Sequence, residues 1–215
     1  MAMASWRTVI AAIIATLGLL LALTAGAADL QPGREFRQIN PPLVADRERI
    51  EVTEFFWYGC PHCFDFEPLL AAWGRRQPID VSVRRVPAVF PRNKWASGAR
   101  VYFTLEAMGL LDSLHTAFFN AVHVEHLRFE DEKQIFAWVA GKGVDAAKFA
   151  ATWTSFGVQT RVRQAHELTM AAGLNGVPAV IVDGRFQVIN PASYSELTAR
   201  IDGLIERVRA ERARK

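Results

Sequence analysis

The sequence predicts a mixed α/β fold in which a run of helices interrupts a small β-sheet. Three observations support this prediction. A strand–helix–strand unit begins at residue 50, no convincing strand lies between residues 93 and 172, and two short strands joined by a tight turn come after that stretch. Strands connected through a helix are usually parallel, whereas a two-residue connection makes an antiparallel hairpin, so the sheet should contain both arrangements.

Composition supports a packed globular protein and excludes several other classes. The chain has 215 residues, of which 51% are hydrophobic and 22% charged, which rules out a disordered tail or a collagen-like fibre. Its net charge of +3 comes from 25 basic and 22 acidic residues, and this near balance does not suggest nucleic-acid binding. Two cysteines are too few for a disulfide-stapled mini-protein or a four-cysteine zinc site.

The N-terminus resembles a secretory signal more than part of a fold. A short segment with Arg7 precedes an apolar run of 15 residues, Val9 to Leu23, and small residues follow at 25–28. An uncleaved membrane anchor is the alternative, but a bilayer span needs about 20 apolar residues. We therefore expect residues 1–27 to be a signal peptide. Outside the cytosol, a cysteine pair can cycle through a disulfide or hold one permanently.

The first half of the sheet is predicted around the cysteine motif. Residues 28–48 contain several prolines and suit an extended lead-in segment. The β-branched and aromatic run 50–56 predicts a strand, and helical periodicity begins at Cys60. A second strand is predicted at 81–86.

The remaining elements are predicted from periodicity and from turn and cap residues. Helices are expected at about 95–108, 111–126, 131–140, 146–155 and 158–172, with Asp145 capping the fourth. We expect His115, His123, His126 and His166 to lie on helix surfaces. Strands are expected at 179–182 and 185–189, joined by Asp183-Gly184, and a final helix begins after the capping box of Ser193 and Glu196.

The motif Cys60-Pro61-His62-Cys63 carries the chemistry. Two intervening residues allow the two sulfurs to meet across one helical turn and to form a small disulfide ring. With Cys60 at the helix N-terminus and Pro61 at the first helical position, unpaired N–H groups and the helix dipole should stabilise a Cys60 thiolate. His62 can add positive charge, and Cys63 lies deeper. Cys60 is therefore the expected attacking sulfur and Cys63 the resolving one.

A stabilised thiolate favours the reduced protein and so makes its disulfide an oxidant. Three alternatives remain open at this point. The pair could form an inert structural disulfide, it could be half of a zinc site completed by His123 and His126, or it could bind Cu(I) with His62 in a metal-binding module. The strand, Gly59 and Pro61 favour the redox reading.

Residues 54–63, EFFWYGCPHC, resemble the active site of the DsbA family of bacterial periplasmic thiol:disulfide oxidoreductases, and residues 176–179, GVPA, resemble its cis-proline loop. The resemblance covers roughly residues 49–212. It implies a thioredoxin-like fold with a helical domain inserted between the two halves of the sheet motif. The thioredoxin-like domain would comprise residues 49–92 and 158–215, and the inserted domain residues 93–157.

The resemblance also implies roles for individual residues. The Val177–Pro178 peptide bond would be cis, with its loop against the Cys60 sulfur, and Val177 would offer backbone pairing to a substrate. Glu54 stands in an otherwise apolar strand, where a buried carboxyl would have a raised pKa and could relay a proton to or from Cys63; the alternative is a solvent-facing strand residue. In the family a buried acid occupies the matching position, and Arg85 on the next strand matches a basic residue that can pair with it. Independently of the resemblance, the aromatic residues around the motif could offer an apolar surface for unfolded chains, although aromatics next to a strand are at least as often part of the core. These residues are Trp57, Tyr58 and Phe64.

The function implied is that of an exported oxidase in the periplasm. It would pass its disulfide to reduced, unfolded secreted proteins and be restored by a membrane quinone-linked partner of the DsbB type. No flavin, nicotinamide or haem motif is present, so we expect no cofactor and no bound metal. We also expect a monomer. Isomerases of this class usually carry an added dimerisation domain, for which the short lead-in leaves no room. A disulfide isomerase or reductase of the same fold is the nearest alternative.

Overall fold

The computed structural model describes residues 30–91 and 93–214, so the predicted signal peptide lies outside the described residues. One sheet of five strands runs through this part of the chain, in the order β1–β5–β4–β2–β3. The strands are β1 (Phe36–Gln38), β2 (Ile50–Phe56), β3 (Val81–Pro87), β4 (Ala179–Val182) and β5 (Phe186–Val188). β2 pairs in parallel with β3, and β4 pairs antiparallel with β5, so both predicted arrangements are confirmed. β4 also pairs antiparallel with β2.

The predicted lead-in segment supplies a strand that the sequence analysis missed. Phe36 pairs with Val188 and Gln38 with Phe186, so β1 forms the edge of the sheet beside β5. Beyond β1, the N–H of Leu43 donates to the carbonyl of Gly184 at 2.9 Å. The segment before β2 is therefore attached to the C-terminal hairpin.

The predicted helical stretch between β3 and β4 is confirmed. Helix α1 (Pro61–Gly74) follows the cysteine motif, and α7 (Tyr194–Arg212) ends the fold. Between β3 and β4 lie α2 (Asn93–Ala107), α3 (Leu111–His123), α4 (Glu132–Gly141), α5 (Ala146–Trp153) and α6 (Phe156–Ala171). Helix α3 ends three residues earlier than predicted, and His126 beyond it has a positive φ of 59°, which no helix continues. Within the described residues, no helix has the length and apolarity that a membrane crossing requires.

The predicted cap and turn residues act as expected. The Asp145 carboxylate accepts from the N–H of Lys148, and the Ser193 hydroxyl accepts from the N–H of Glu196. Asp183 and Gly184 have φ values of 55° and 65°, as a two-residue hairpin turn demands. These contacts fix the start of α5, the β4–β5 turn and the start of α7.

The cysteine motif lies at the junction of two hydrophobic cores. One core fills the space between the sheet and the helices α2–α6, and it includes both cysteines. The other contains residues of the sheet, α1 and α7, among them Phe66, Leu70 and Leu204. Since α1 begins in the first core and packs its later turns into the second, its N-terminus is held from both sides.

Candidate active site

The cysteine motif begins where β2 gives way to α1. Cys60 is the N-cap of the helix with φ −94° and ψ 115°, Pro61 occupies the first helical turn, and the N–H of Cys60 donates to the carbonyl of Trp57 at 2.9 Å. A Cβ at Gly59 would come within 2.5 Å of the Trp57 ring, so this turn needs a residue without a side chain. The predicted position of Cys60 at the helix N-terminus is confirmed.

The two cysteines, both free thiols, occupy different environments. Cys60 keeps 8% of its surface exposed and Cys63 keeps none. The Cys60 sulfur accepts a hydrogen bond from the N–H of Cys63 at 3.3 Å. A hydrogen bond from the Cys63 thiol, together with the N–H groups of Cys63 and His62, outweighs burial and lowers the pKa of Cys60 to about 6.

The pKa of Cys63 shifts in the opposite direction. Burial raises the pKa of its thiol, and the neighbouring Cys60 sulfur raises it further. In the reduced protein at neutral pH, the Cys60 sulfur, which keeps a small exposed area, is therefore mostly a thiolate, and the fully buried Cys63 sulfur is a protonated thiol. This asymmetry suits an attacking and a resolving pair.

Helix α7 contacts the motif through a residue that the sequence analysis missed. The hydroxyl of Tyr194 donates to the carbonyl of His62 at 3.0 Å, and its ring stacks on Phe66 with centroids 5.4 Å apart. His62 itself is exposed. The only signal in the sequence was the position of Tyr194 directly after the cap of the last helix.

The loop before β4 faces the Cys60 sulfur. The Val177–Pro178 peptide bond is cis, and the Cys60 sulfur lies 3.5 Å from the Val177 carbonyl oxygen, to which it donates when it is protonated. Both predicted features of this loop are present. Val177 and Pro178 remain partly exposed beside the sulfur.

A cluster of buried charges lies behind the motif. Glu54 is 1% exposed, and burial raises the pKa of its carboxyl to about 8 even though Arg85 Nε lies 3.5 Å from Glu54 Oε2. Arg85 also donates two hydrogen bonds of 3.0 Å to Glu67. Burial alone would raise the pKa of Glu67, but its contacts with His115 and Arg85 outweigh burial and lower it. Sequence reasoning found Glu54 and Arg85 and missed Glu67, which has no distinguishing local pattern.

One of the three aromatic residues expected at the surface is buried. Tyr58 is fully buried, with its ring 4.7 Å from Phe118 and 4.8 Å from Phe119. The expectation that it contacts substrate is therefore wrong, because α3 covers it. Trp57 and Phe64 are partly exposed.

Three of the four histidines expected on helix surfaces instead face the rest of the fold. His115 is 6% exposed and lies 2.8 Å from the Tyr58 hydroxyl. His123 Nε2 lies 2.7 Å from the Tyr58 carbonyl oxygen, and His166 Nδ1 lies 2.8 Å from a main-chain carbonyl oxygen next to β3. Of these four histidines, only His126 is exposed. Over the described residues, His, Cys, Asp and Glu side chains form no group of three or more that would hold a metal ion.

A thioredoxin-like sheet, a Cys-X-X-Cys pair at a helix N-terminus and a cis-proline beside the first sulfur together define a thiol:disulfide oxidoreductase of thioredoxin fold. Comparisons with known proteins agree. The DSBA-like thioredoxin domain family matches residues 81–202. The chain is 37% identical over 207 residues to the thiol:disulfide interchange protein DsbA of Pseudomonas aeruginosa, covering 95% of this chain and 98% of that protein. It is 38% identical over 186 residues to DsbA of Azotobacter vinelandii, covering 85% and 86%.

Solved structures show the same relationship. The crystal structure of Pseudomonas aeruginosa DsbA superposes with a TM-score of 0.81 at 37% identity, covering 87% of this chain and 98% of that one. The oxidoreductase DsbA from Xylella fastidiosa gives 0.79 at 31% identity, covering 84% and 98%. The chain belongs to the DsbA family of thiol:disulfide oxidoreductases.

Proposed function

We propose that this protein is an oxidase that donates a Cys60–Cys63 disulfide to reduced, unfolded secreted proteins. The observation that carries the proposal is the contrast between the two sulfurs. The pKa of Cys60 is lowered to about 6, whereas that of Cys63 is raised. A protein that stabilises one thiolate in its reduced form gives up its disulfide readily, because reduction is favoured.

The reaction proceeds through a mixed disulfide on Cys60. A substrate thiolate attacks the Cys60 sulfur, the Cys60–Cys63 bond breaks, and Cys63 leaves with the electron pair and takes up a proton. A second substrate thiolate then attacks the substrate sulfur of the mixed disulfide, and Cys60 leaves as a thiolate. The substrate has lost two electrons to form its disulfide, and the enzyme has gained them.

Residues around the sulfurs transfer protons, support the thiolate and bind the substrate. Glu54, whose buried carboxyl has a pKa of about 8, exchanges a proton with Cys63, and a cavity of about 300 Å³ lined by Glu67, Arg85 and His115 joins this cluster to solvent. Pro61 and His62 support the Cys60 thiolate. Pro178 holds Val177 beside the sulfur, where its backbone pairs with an extended substrate segment, and Trp57 and Phe64 contact apolar substrate side chains.

The enzyme acts in the periplasm as a monomer, after removal of residues 1–27. A membrane quinone-linked protein of the DsbB type accepts the two electrons and restores the disulfide. The helical segment 93–157 forms an inserted domain, and residues 49–92 and 158–215 form the thioredoxin-like domain. No nucleic acid, metal or organic cofactor takes part.

A titration of residues 28–215 against glutathione redox buffers tests the proposal. We expect the disulfide to be reduced even where most glutathione is oxidised, with the ratio of the two forms read by mass spectrometry after alkylation. A disulfide that persists in strongly reducing buffers would identify an inert structural bond and overturn the proposal.

The mechanism predicts that Cys63→Ala traps substrates. Cys60 can still form a mixed disulfide in this variant, but the resolving thiol is missing, so complexes should accumulate in cell extracts and disappear on reduction. Cys60→Ala is the matched control, because the remaining Cys63 has no exposed surface. Equal trapping by the two variants, measured on non-reducing gels, would contradict the assigned roles.

A further inference from the structure

His123 touches the chain on both sides of the cysteine motif. Its Nε2 lies 2.7 Å from the carbonyl oxygen of Tyr58, two residues before Cys60. Its ring stacks on Phe64, the residue directly after Cys63, with centroids 4.8 Å apart and an interplanar angle of 15°. One side chain at the C-terminal end of α3 therefore spans the segment that presents both sulfurs.

The hydrogen bond to Tyr58 has a defined direction. A main-chain carbonyl can only accept, so His123 Nε2 carries the hydrogen and donates it. Tyr58 is also held at its other end, because its hydroxyl lies 2.8 Å from His115 Nδ1. His115 and His123 both belong to α3, so this helix fixes the main chain and the side chain of the same residue.

We propose that His123 is a positioning residue, through which α3 of the helical segment sets the geometry of the turn that presents the Cys60 sulfur. The inference deepens the proposed function and rests on it. His123 does not touch either sulfur in the structure, so its effect passes through Tyr58 and Phe64.

Loss of the imidazole would act through the turn in two ways. The Tyr58 carbonyl would lose its donor, and an unpaired buried carbonyl shifts towards any other partner. The next hydrogen bond along the turn joins the N–H of Cys60 to the carbonyl of Trp57, and the Cys60 sulfur relies on the N–H of Cys63 at 3.3 Å. A looser turn lengthens the contacts between N–H groups and sulfur and therefore weakens the stabilisation of the thiolate.

The test compares variants that separate the hydrogen bond from the packing. His123→Leu keeps an apolar side chain against Phe64 but removes the donor, whereas His123→Gln keeps an N–H donor of similar reach. His126→Asn is the matched control, because His126 is exposed and its positive φ of 59° suits asparagine. For each variant, the Cys60 pKa is measured from thiolate absorbance at 240 nm, and the equilibrium constant with glutathione is measured alongside.

We expect His123→Leu to raise the Cys60 pKa by about half a unit or more, which lowers the thiolate-to-thiol ratio about threefold at any given pH. Its equilibrium constant should move towards a weaker oxidant, and His123→Gln should restore most of both values. His126→Asn should match the unmodified protein. If His123→Leu does not fold, His123→Asn decides the question, because its shorter amide cannot reach the carbonyl.

The inference would be overturned if the unmodified protein oxidises thiols and a folded His123→Leu variant has the same Cys60 pKa and the same equilibrium constant with glutathione. A folded His123→Gln variant that recovers neither the Cys60 pKa nor the equilibrium constant would also overturn it, because the hydrogen-bond donor would then have no effect on the sulfur. Failure of the proposed function looks different: the unmodified protein itself would retain its disulfide in reducing buffers.

Discussion

The reactivity of Cys60 is decided by a few hydrogen bonds within one helical turn. The pKa of about 6 means that roughly half of the Cys60 thiols are ionised at pH 6, whereas a thiol with the ordinary value of 9.0 is almost entirely protonated there. We expect iodoacetamide to alkylate Cys60 of the reduced protein with a rate that rises through a midpoint near pH 6. Cys63 should stay unlabelled, because its pKa is raised and its side chain is fully buried.

Peptide mapping after short labelling times checks this prediction. The urea-unfolded protein is the control, in which both cysteines should react slowly and equally at pH 6. Equal slow labelling of both cysteines in the folded protein would contradict the division into attacking and resolving sulfurs.

At the scale of secondary-structure elements, the buried charge cluster joins two strands and two helices. Arg85 of β3 contacts Glu54 of β2 and Glu67 of α1, and Glu67 lies 3.4 Å from His115 of α3. Arg85→Met leaves the buried Glu67 carboxylate without its arginine and should lower the free energy of unfolding by about 3–5 kcal/mol. Arg84→Met is the matched control on the same strand, because Arg84 is largely exposed and should cost less than about 1 kcal/mol.

The loss in Arg85→Met should depend on pH. Without the arginine, the folded pKa of Glu67 rises from its lowered value, and that of Glu54, already about 8, rises further. The loss of stability grows as pH rises through each group's folded pKa in the original protein, so it is small in acid. Urea unfolding should therefore show a smaller loss at pH 5 than at pH 8. A loss that is the same at both pH values would mean that Arg85 acts through packing alone.

The sequence predicts the elements whose signals are local and misses the contacts that join distant segments. Caps and tight turns depend on residues that are close in the sequence. Each of those predicted is found in the structure: Asp145, Ser193 and the Asp183–Gly184 turn. Strand β1 has three residues and pairs with residues about 150 positions away, so no periodicity could indicate it. His123 looked like a surface residue of α3 because its partner, the Tyr58 carbonyl, belongs to another element.

The Asp183–Gly184 turn offers a test of how the N-terminal segment is attached. Gly184 has φ 65°, and a Cβ there would overlap the carbonyl oxygen of Leu43. Gly184→Ala should therefore cost more than the roughly 1 kcal/mol of left-handed backbone strain, because the segment before β2 must also move. Gly143→Ala is the control: it has φ 76° but no atom within 4 Å of its Cβ, so it carries the strain alone. Urea unfolding of both variants measures the difference, and equal losses would contradict the crowding argument.

At the scale of the whole molecule, the state of the two sulfurs is linked to the stability of the entire fold. The disulfide closes a ring of only four residues, so it stabilises the oxidised form by no more than about 2 kcal/mol through the unfolded chain. The reduced form gains from the Cys60 thiolate. A folded pKa of about 6 against 9.0 stabilises it by about 1.4 kcal/mol at pH 7 and nearly 4 kcal/mol at pH 9.

These two effects predict that the more stable form changes with pH. A lowered folded pKa contributes stability that is fully present above the unfolded pKa and is lost as pH falls through about 6. The oxidised form should therefore unfold at higher urea concentration only in acid, and the reduced form at pH 9. The two curves should cross no higher than about pH 7.5, where the thiolate contributes about 2 kcal/mol. Above pH 9 the raised pKa of Cys63 works against the reduced form, so the comparison ends there.

His62 supplies the control for this crossing, because it supports the thiolate with a main-chain N–H and with its imidazole. His62→Ser removes the imidazole and keeps the N–H, whereas His62→Pro removes both. The crossing should move to higher pH in His62→Ser and further still in His62→Pro, and the latter should be the weakest oxidant of the three proteins. Urea unfolding of both redox forms from pH 5 to 9 decides the matter. A stability difference that does not change over this range would show that the Cys60 thiolate does not couple to folding, and the oxidising strength would then need another source.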